Sequence, residues 1–330
     1  MCAKGVMLIL CASAAAAAAD VIPAVHGPVT GFVYDAQARA IRPMLGLPGA
    51  AYLGAPVVSA LEAASVSPDG STVVGIQAGR LVVYTGINNA APPARRVPAA
   101  ISGADRFAWA PSSAAAVVYS STQAQVINLS GTPEAGAPIS LAGIPGELAA
   151  LAFDGSEIIA GSSGGIYVVT AQGAIERLAS AASPSAIALA GSDLYFADQQ
   201  ANQIWQVSRY ASQPAALLFA ADDSIVSPVG LQLSADGLRL YVANAGNLKL
   251  AIYGVATRTL LRTLALSTAP AGLQRFGDPS VFLLNGATAS RQPLYVLSDR
   301  GTDQAVYFVP NPNPAESRPI HYRPADGTAQ

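Results

Sequence analysis

Six polar residues occupy the same place in a repeated pattern of apolar runs. Each follows the second run of its repeat and begins the polar loop that leads into the third run. The six are Gln77, Ser121, Ser162, Asp198, Asn244 and Asn285. Amide and hydroxyl side chains suit hydrogen bonding to a neutral ligand, although the same residue types also form turns. If the loops open on one face, these residues predict a binding ring that is polar and nearly uncharged.

Two of the six residues could instead contribute ligands to a metal centre. A divalent cation such as Ca²⁺ requires several converging oxygen atoms, with one or two carboxylates among them. Asp198 and Asn244 could supply them, together with Asp154 or Asp299. The neighbouring apolar runs are poor in Asp, Glu and His, and no general base is evident near them. We therefore predict no catalytic residue, no metal and no cofactor, and keep a metal-dependent hydrolase with a central divalent cation as the alternative.

The first nineteen residues have the order of a secretory signal peptide. Lys4 precedes an apolar run at 6–10, and an alanine tract then extends to Ala19, just before Asp20. This is the charged, apolar and small-residue order of such signals. The apolar stretch is shorter than the ~20 residues that a membrane span needs. We predict removal of residues 1–19, an exported protein that is periplasmic or extracellular, and no transmembrane span in the mature chain.

Removal of the leader would also remove both cysteines, Cys2 and Cys11. The mature chain would then have no disulfide, no thiolate metal site and no cysteine nucleophile. Its two histidines, His26 and His321, lie near the ends of the chain. We expect both to be solvated loop residues rather than members of a catalytic triad.

The composition describes a folded protein without a surface for nucleic acid. Of the 330 residues, 52% are hydrophobic and 12% are charged, which is enough apolar material for a large core. The formal net charge is -2, and no basic cluster extends beyond Arg95 and Arg96. Because phosphate backbones are bound by clustered Lys and Arg, nucleic acid is excluded as a partner.

The elements that position the six polar residues are short apolar runs. One unit, GLQLSADGLRLYVANAGNLKLAIY, extends from Gly230 to Tyr253 and contains three runs separated by a tight turn and a polar loop. Similar units recur about every 42 residues, starting at Ala63, Asp105, Leu148, Ser185 and Gly272. The runs lack a helical period and are punctuated by Gly and Pro. Each unit predicts a four-stranded antiparallel sheet, and the chain predicts an all-β propeller of seven such blades, with six as the alternative.

The turn between the first and second runs carries an Asp-Gly pair in several units. Examples are Ser67–Gly70, Phe153–Gly155 and Ser234–Gly237. Proline presets φ, aspartate bonds to the backbone ahead of it, and glycine tolerates a positive φ. We therefore expect these aspartates to be structural rather than catalytic.

The two ends of the chain predict how the ring closes. Gly31–Gly46 is similar to the last two strands of a blade, and the first two are missing from its neighbourhood. We expect the chain's end to complete this blade, so that N- and C-terminal strands pair and leave no open edge. The segment from Pro293 to Asn311 fits either the second and third strands of a blade or the third and fourth. Residues 20–310 are predicted to form one domain, and 311–330 a Pro-rich tail.

The unit at Gly230 resembles the YVTN-type propeller repeat of exported bacterial and archaeal proteins. Leu240–Asn244 takes the place of the Tyr-Val-Thr-Asn stretch of that family. The units at Ala63 and Ser185 also resemble NHL-type and WD-like repeats. The resemblance implies a β-propeller and an exported location but no particular activity. The metal-dependent alternative would resemble the exported lactonase-type propellers.

We therefore predict a non-catalytic, exported propeller that acts as a binding or scaffold module. The expected partner is a protein, a peptide or a glycan, bound on the face that carries the six polar residues.

Overall fold

The computed structural model describes residues 28–47, 49–89, 92–98, 101–208, 216–219, 224–286, 292–300 and 304–311. These residues form 27 strands in seven antiparallel sheets. No helix in the described ranges is long and apolar enough to cross a membrane. The predicted signal peptide, both histidines and the predicted tail after Asn311 lie outside the described residues.

The sheets follow one another along the chain as blades 1 to 7. Blade 1 contains β1 (Val29–Asp35), β2 (Ala40–Leu45) and β3 (Tyr52–Leu53). Blade 2 contains β4 (Ala63–Val66), β5 (Thr72–Gln77), β6 (Arg80–Thr85) and β7 (Ala94–Arg96). Blade 3 contains β8 (Arg106–Trp109), β9 (Ala115–Tyr119), β10 (Gln123–Asn128) and β11 (Glu134–Ser140). Blade 4 contains β12 (Leu148–Phe153), β13 (Ile158–Ser162), β14 (Gly165–Val169) and β15 (Ile175–Ala179).

Blade 5 contains β16 (Pro184–Ala190), β17 (Asp193–Asp198), β18 (Gln203–Ser208) and β19 (Ala216–Phe219). Blade 6 contains β20 (Pro228–Leu233), β21 (Arg239–Asn244), β22 (Lys249–Gly254) and β23 (Thr259–Ala265). Blade 7 contains β24 (Gln274–Arg275), β25 (Val281–Leu283), β26 (Leu294–Ser298) and β27 (Ala305–Val309). The described structure is a seven-bladed β-propeller, which confirms the predicted fold class and the choice of seven blades over six.

A buried apolar cluster fills each interface between neighbouring blades. Among the described residues there are seven such clusters, and each combines side chains from two adjacent sheets. Val83 of blade 2 packs with Val118 of blade 3, for example, and Met44 of blade 1 packs with Val296 of blade 7. The last contact shows that the ring is closed. Because each sheet is covered on both sides, its middle strands are continuously apolar, as the sequence predicted.

The first strands of blades 2 to 7 surround the axis and run in the same direction. The indole N–H of Trp109, near the end of β8, donates to Ser65 Oγ near the end of β4 (2.9 Å). Likewise, Arg275 Nη2 donates to the carbonyl of Leu233 at the end of β20 (3.1 Å). Turns between first and second strands therefore lie on one side of the disc, which we call the turn face. The hairpins between second and third strands lie on the opposite side, which we call the hairpin face.

Blade 1 differs from the others because β1 is a second strand and not a third. The hairpins after Asp35, Asp198 and Asn244 each contain four residues. The last of the four has a positive φ in every case, at Arg39 (50°), Asn202 (53°) and Leu248 (54°). The prediction that Gly31–Gly46 forms the last two strands was therefore wrong by one strand. The apolar pattern of a middle strand does not distinguish second from third, whereas the hairpin conformation does.

The direction of β1 supports this assignment. Its end lies beside the start of β4, where the Tyr34 hydroxyl donates to the Glu62 carbonyl (2.9 Å). Its start lies beside the turn after β24, since a Cβ on Gly277 would be 3.0 Å from the Thr30 carbonyl oxygen. β1 therefore runs opposite to the first strands of its neighbours. Blade 1 has three strands among the described residues, and a first strand is the missing one.

The C-terminal segment belongs to blade 7. β26 and β27 are its third and fourth strands, which resolves the alternative left open for Pro293–Asn311. Because blade 7 obtains all four strands from its own sequence, no C-terminal strand pairs with blade 1 among the described residues. The rest of the predicted closure concerns residues beyond Asn311, which are not described.

A buried ion pair stabilises blade 1. The fully buried guanidinium of Arg42 lies 3.1 Å from the Asp35 carboxylate. Its Nε donates to the Gly54 carbonyl (2.9 Å), and Nη2 donates to the Leu53 carbonyl (3.2 Å). β3 is only two residues long, so Arg42 satisfies two carbonyl groups at the point where strand pairing stops.

The Asp-Gly turns have the structural role that the sequence predicted. The Ser67 hydroxyl donates to Asp69 Oδ1, which also accepts the Ser71 N–H (3.0 Å), and Gly70 has a φ of 71°. Ser234, Asp236 and Gly237 repeat this arrangement, again with a φ of 71° at the glycine. The side-chain oxygens of both aspartates are thus used within the turn.

Because of these turns, the stability of the fold should depend on pH in the acid range. Partial burial alone would raise the pKa of Asp69, but hydrogen bonds from Ser67 and Ser71 outweigh burial and lower it. The hydrogen bond from Ser234 lowers the pKa of Asp236 in the same way. Because the folded pKa is below the unfolded value of about 3.9, the contribution is present above that pH and is lost as pH falls through the folded pKa.

We expect the double variant Asp69→Asn/Asp236→Asn to be less stable than the parent chain at pH 7. The difference between their melting temperatures should shrink as pH falls below about 4, because the parent loses the charge that the variant lacks. Melting curves of both chains from pH 7 to pH 2.5 measure this difference. A difference that is constant over that range would contradict the role given to the two carboxylates.

Candidate binding site on the axis

The structure places the six predicted ring residues one to a blade, on the hairpin face of blades 2 to 7. Each lies in, or directly beside, the connection from the second strand to the third. In a ring of such sheets, these connections all lie on one face. Five of the six side chains are hydrogen-bonded to backbone groups of their own blade or of the connection that enters it.

Three ring residues are buried and hold the segment that enters their blade. Ser162 Oγ donates to the Pro145 carbonyl (2.6 Å). The Asp198 carboxylate accepts the N–H groups of Ala182 (2.7 Å) and Ser183 (3.3 Å). Asn244 Oδ1 accepts the Val226 N–H (3.1 Å). These polar side chains anchor the hairpin to the preceding connection, which is the turn-forming role that the sequence left open.

The other three ring residues are partly or fully exposed. Gln77 Nε2 donates to the Ser59 carbonyl (3.1 Å), and Asn285 Nδ2 donates to the Pro293 carbonyl (2.9 Å). Ser121 is exposed at the tip of its hairpin. Contact of the ring with a ligand stays a prediction, and Ser121 is the member best exposed to make one.

The four candidate metal ligands are divided between the two faces. Asp198 and Asn244 lie on the hairpin face. Asp154 follows β12 and Asp299 follows β26, which places both on the turn face. Asp154 accepts the Glu157 N–H (2.7 Å), and Asp299 pairs with Arg239 (3.1 Å). The four residues therefore do not form one site, and the described part of the chain contains no cluster of three or more His, Cys, Asp or Glu that could hold a metal.

The first strands together line a cavity of about 290 Å³ on the axis, which we call the axial cavity. Its walls come from the ends of β4, β8, β12, β16, β20 and β24, so it lies on the turn-face side. Phe107, Trp109, Leu151 and Ile187 give it apolar surface. Its polar groups are those of Ser65, Gln232, Gln274 and Arg275.

Arg275 is the charged residue among these cavity-lining groups. Its two terminal nitrogens donate to the carbonyls of Pro279 (2.8 Å) and Leu233 (3.1 Å). The guanidinium carbon lies 5.6 Å from the ring centroid of Phe282, a cation–π distance. Burial lowers the pKa of Arg275 from its ordinary value. Arginine side chains in proteins keep their charge at neutral pH. The contacts hold the cation at the cavity wall.

Trp109 and Gln274 are the residues best placed to meet a ligand. The Trp109 indole is fixed by its bond to Ser65 and is only partly buried. Gln274 is exposed at the cavity wall, and no hydrogen bond involves its side chain within the described residues. An aromatic surface beside free amide groups can receive an apolar patch and hydrogen-bond its polar edge.

A larger cavity of about 780 Å³ lies on the hairpin face between blades 2 and 3. Glu62, Arg80, Arg96 and Asp105 contribute both signs of charge to its lining. One wall is the connection from β7 to β8, in which residues 99–100 are outside the described residues. The axial cavity is the stronger candidate because six blades contribute to it.

Sequence reasoning missed the axial cavity. Val66, Trp109, Phe153, Leu189 and Arg275 have similar positions in their repeat units, and all five line the cavity. They are the final or nearly final residues of their first strands, just before the turn. A residue that cannot be buried easily at this position, such as Arg275, was the available signal.

The fold and the cavity define a seven-bladed β-propeller of the kind that supports binding or scaffold roles. No protein-family model matches the chain, and no curated protein matches it. The fold is similar to a solved chain described as "KlHsv2 with loop 6CD replaced by a Gly-Ser linker", with a TM-score of 0.54 and 10% identity. The match covers 85% of this chain and 97% of that chain. At this identity the similarity shows the fold alone.

Proposed function

We propose that this protein is an exported, non-catalytic β-propeller that binds a protein, a peptide or a glycan in its axial cavity. The observation that carries the proposal is the convergence of six first strands on one cavity with an aromatic wall and a few polar groups. Such a combination of apolar walls and a few polar groups is typical of binding sites.

The size and charge of the axial cavity limit the kinds of ligand that it can bind. A volume of about 290 Å³ receives one projecting group, such as a side chain, a loop tip or a sugar residue, rather than a whole large ligand. Of the described residues that line it, Arg275 alone is ionised at neutral pH. We therefore propose a ligand that is neutral or carries one negative charge at the inserted group.

Export is proposed from the leader sequence. Lys4, the apolar run and the alanine tract support a cleaved signal, and the repeat at Gly230 supports a YVTN-type exported propeller. N-terminal sequencing of the secreted protein tests this step. A start near Asp20 is expected, and a chain that begins at Met1 would contradict it.

We expect Gln274→Ala to weaken ligand binding about tenfold, which corresponds to ~1.4 kcal/mol and is of the order of one lost hydrogen bond. Printed arrays of oligosaccharides and of synthetic peptides provide the ligands, and titration of the strongest hit provides the dissociation constant. Gln37→Ala is the matched control, because Gln37 is an exposed glutamine on the hairpin face. Its affinity should equal that of the parent chain.

The same titration separates the two faces. Binding that is weakened by Ser121→Ala and unchanged by Gln274→Ala would overturn the axial site and support the predicted ring. No hit on either array with correctly folded protein would contradict the proposed ligand classes.

A further inference from the structure

Two neighbouring blades have outer strands that lack the usual protection against pairing. Exposed sheet edges are normally blunted by short length, proline, bulges or charged residues. Among the outer strands, β3, β7 and β19 contain two, three and four residues, β11 contains Gly136 and Pro138, and β15 contains Glu176 and Arg177. β23 and β27 contain seven and five residues without proline or glycine, and Arg262 is their one charged residue. These two strands belong to blades 6 and 7, which adjoin at the rim of the disc.

The outer edge of β23 presents open backbone groups. The Leu266 N–H donates to the Leu248 carbonyl (2.8 Å). Because antiparallel pairing alternates along a strand, Thr263 and Ala265 direct their N–H and C=O groups away from β22. No strand in the described part of the chain pairs with this side of β23. The regular edge begins after Leu261, where a bulge shifts the register.

One face of β23 is directed toward blade 7. Arg262 and Leu264 lie opposite Ile252 and Leu250 of β22, and opposite residues of paired strands share a face of the sheet. Ile252 and Leu250 pack in the apolar cluster that includes Phe282 of blade 7. Leu264 is partly buried against this cluster, whereas Arg262 is exposed. Arg262 makes no hydrogen bond or ion pair with any described residue.

β27 faces the same interface from the other side. Phe308 and Val306 lie opposite Tyr295 and Leu297 of β26, which belong to the same cluster or pack against it. Phe308 is nevertheless 67% exposed. We call the outer part of this interface the rim surface, and it is formed by Arg262, Leu264, Val306 and Phe308.

The rim surface combines open backbone groups, apolar side chains and one positive charge. Strands β22, β23, β26 and β27 contain Lys249 and Arg262 but no acidic residue. Sheet edges bind extended segments by strand addition, in which backbone hydrogen bonds give affinity and side-chain contacts give specificity. An unpaired arginine beside apolar side chains favours a segment that carries a carboxylate next to apolar residues.

A second copy of this chain is a less favourable occupant. Antiparallel pairing of two β23 strands about Thr263 would place both Arg262 side chains on one face as diagonal neighbours. Like charges on long side chains repel at that distance. The charge of the rim surface therefore favours a different protein.

We propose that the outer edge of blade 6 binds an extended segment of a partner protein as a fifth strand. The segment pairs with the backbone groups of Thr263 and Ala265. It directs an acidic side chain at Arg262 and an apolar side chain at Leu264 and Phe308. None of these residues lines the axial cavity, and the proposal does not depend on the ligand proposed for that cavity.

A labelled peptide tests the charge of the segment. The probe is the fluorescein-labelled peptide Thr-Val-Thr-Leu-Thr-Glu-Thr, whose leucine and glutamate lie opposite Leu264 and Arg262 in antiparallel pairing. We expect saturable binding by fluorescence anisotropy, and about tenfold weaker binding when lysine replaces the glutamate. Arg262→Glu should reverse this preference. Equal affinity for the two peptides, or no saturable binding by the folded chain up to about 1 mM, would overturn the proposal.

Backbone methylation of the probe tests strand addition itself. The N–H of the threonine between leucine and glutamate would face Thr263, whereas the leucine N–H would face away from β23. We expect N-methylation of this threonine to abolish binding and N-methylation of the leucine to leave the affinity unchanged. Equal effects of the two methyl groups would contradict strand addition.

Proline substitutions test the same edge in the protein. Thr263→Pro removes an outward N–H that makes no bond to β22, so the chain should fold and lose binding. Arg96→Pro is the matched control. The Val97 N–H donates to the Leu81 carbonyl (3.0 Å), so the Arg96 N–H also faces outward, on the edge of blade 2. Equal affinity of the two folded variants for the probe would contradict pairing at β23.

The apolar contact is tested by Phe308→Ala, which should weaken binding about tenfold through lost apolar burial. Leu238→Ala is the control, because Leu238 is 64% exposed in the turn before β21. Its affinity should equal that of the parent chain. Equal losses in both variants would remove Phe308 from the site.

Sedimentation of the unsubstituted chain identifies self-pairing, and a monomer is expected. A dimer that Thr263→Pro converts to a monomer would overturn the proposal in favour of a second copy on this edge.

Discussion

Arg42→Met should lower the free energy of unfolding by about 3–5 kcal/mol, the range for breaking a buried ion pair. The substitution keeps most of the apolar stem but leaves the Asp35 carboxylate without its counter-charge. It also leaves the carbonyls of Leu53 and Gly54 without the donors that now reach them at 3.2 and 2.9 Å. Chemical denaturation, followed by far-UV circular dichroism, measures the change.

Arg39→Met is the matched control for this variant. Arg39 is in the hairpin between β1 and β2 and pairs with Glu62 at 3.7 Å, with the two side chains 55% and 42% exposed. Exposed pairs contribute less than about 1 kcal/mol. Equal losses of unfolding free energy in the two variants would contradict the stabilising role given to the buried Arg42–Asp35 pair.

Gly230→Ala should destabilise the fold by about 3 kcal/mol, at the upper end of the usual range for overpacking. A Cβ at Gly230 would be 2.5 Å from the Leu273 nitrogen and 2.6 Å from the Gly272 carbonyl carbon. Both are backbone atoms of the segment that leads into β24, so no side-chain rotation relieves the contact. Blades 6 and 7 would have to separate near the axis.

The control for this prediction is Gly131→Ala, whose added Cβ would meet no atom within 4 Å. We expect a change of less than about 0.5 kcal/mol. Thermal melting of the two variants, measured side by side, compares them. A stability of Gly230→Ala equal to that of Gly131→Ala would show that the blades do not approach as closely as described.

The blades could be predicted from sequence because each is a local unit. The four-stranded pattern and its Asp-Gly turn lie within about 42 residues, so repeat spacing alone located the strands. The assignment failed only in blade 1. The apolar run at Phe32–Tyr34 suits any middle strand, and the distinguishing feature is the positive φ at Arg39 (50°), which arginine does not signal in a sequence.

The site was harder to predict because it depends on the ring. Asn244 and Asp198 are polar residues at hairpins, and sequence cannot show that their oxygens are used by the N–H groups of Val226 and Ala182. Trp109 and Gln274 are far apart in sequence and share a cavity only because seven blades close into a disc. Buried polar anchors and exposed ligand contacts have the same residue types, so burial decides between them.

The fluorescence of Trp109 tests the axial site most directly. The chain has two tryptophans, and Trp205 is stacked on Phe196 with a ring separation of 6.1 Å, away from the residues that line the cavity. In Trp205→Phe, emission reports on the axial cavity alone. Titration with the strongest oligosaccharide or peptide from the arrays should change this emission with the same half-saturation as the array binding. Saturable binding with unchanged emission would show that the ligand binds elsewhere and would contradict the axial site.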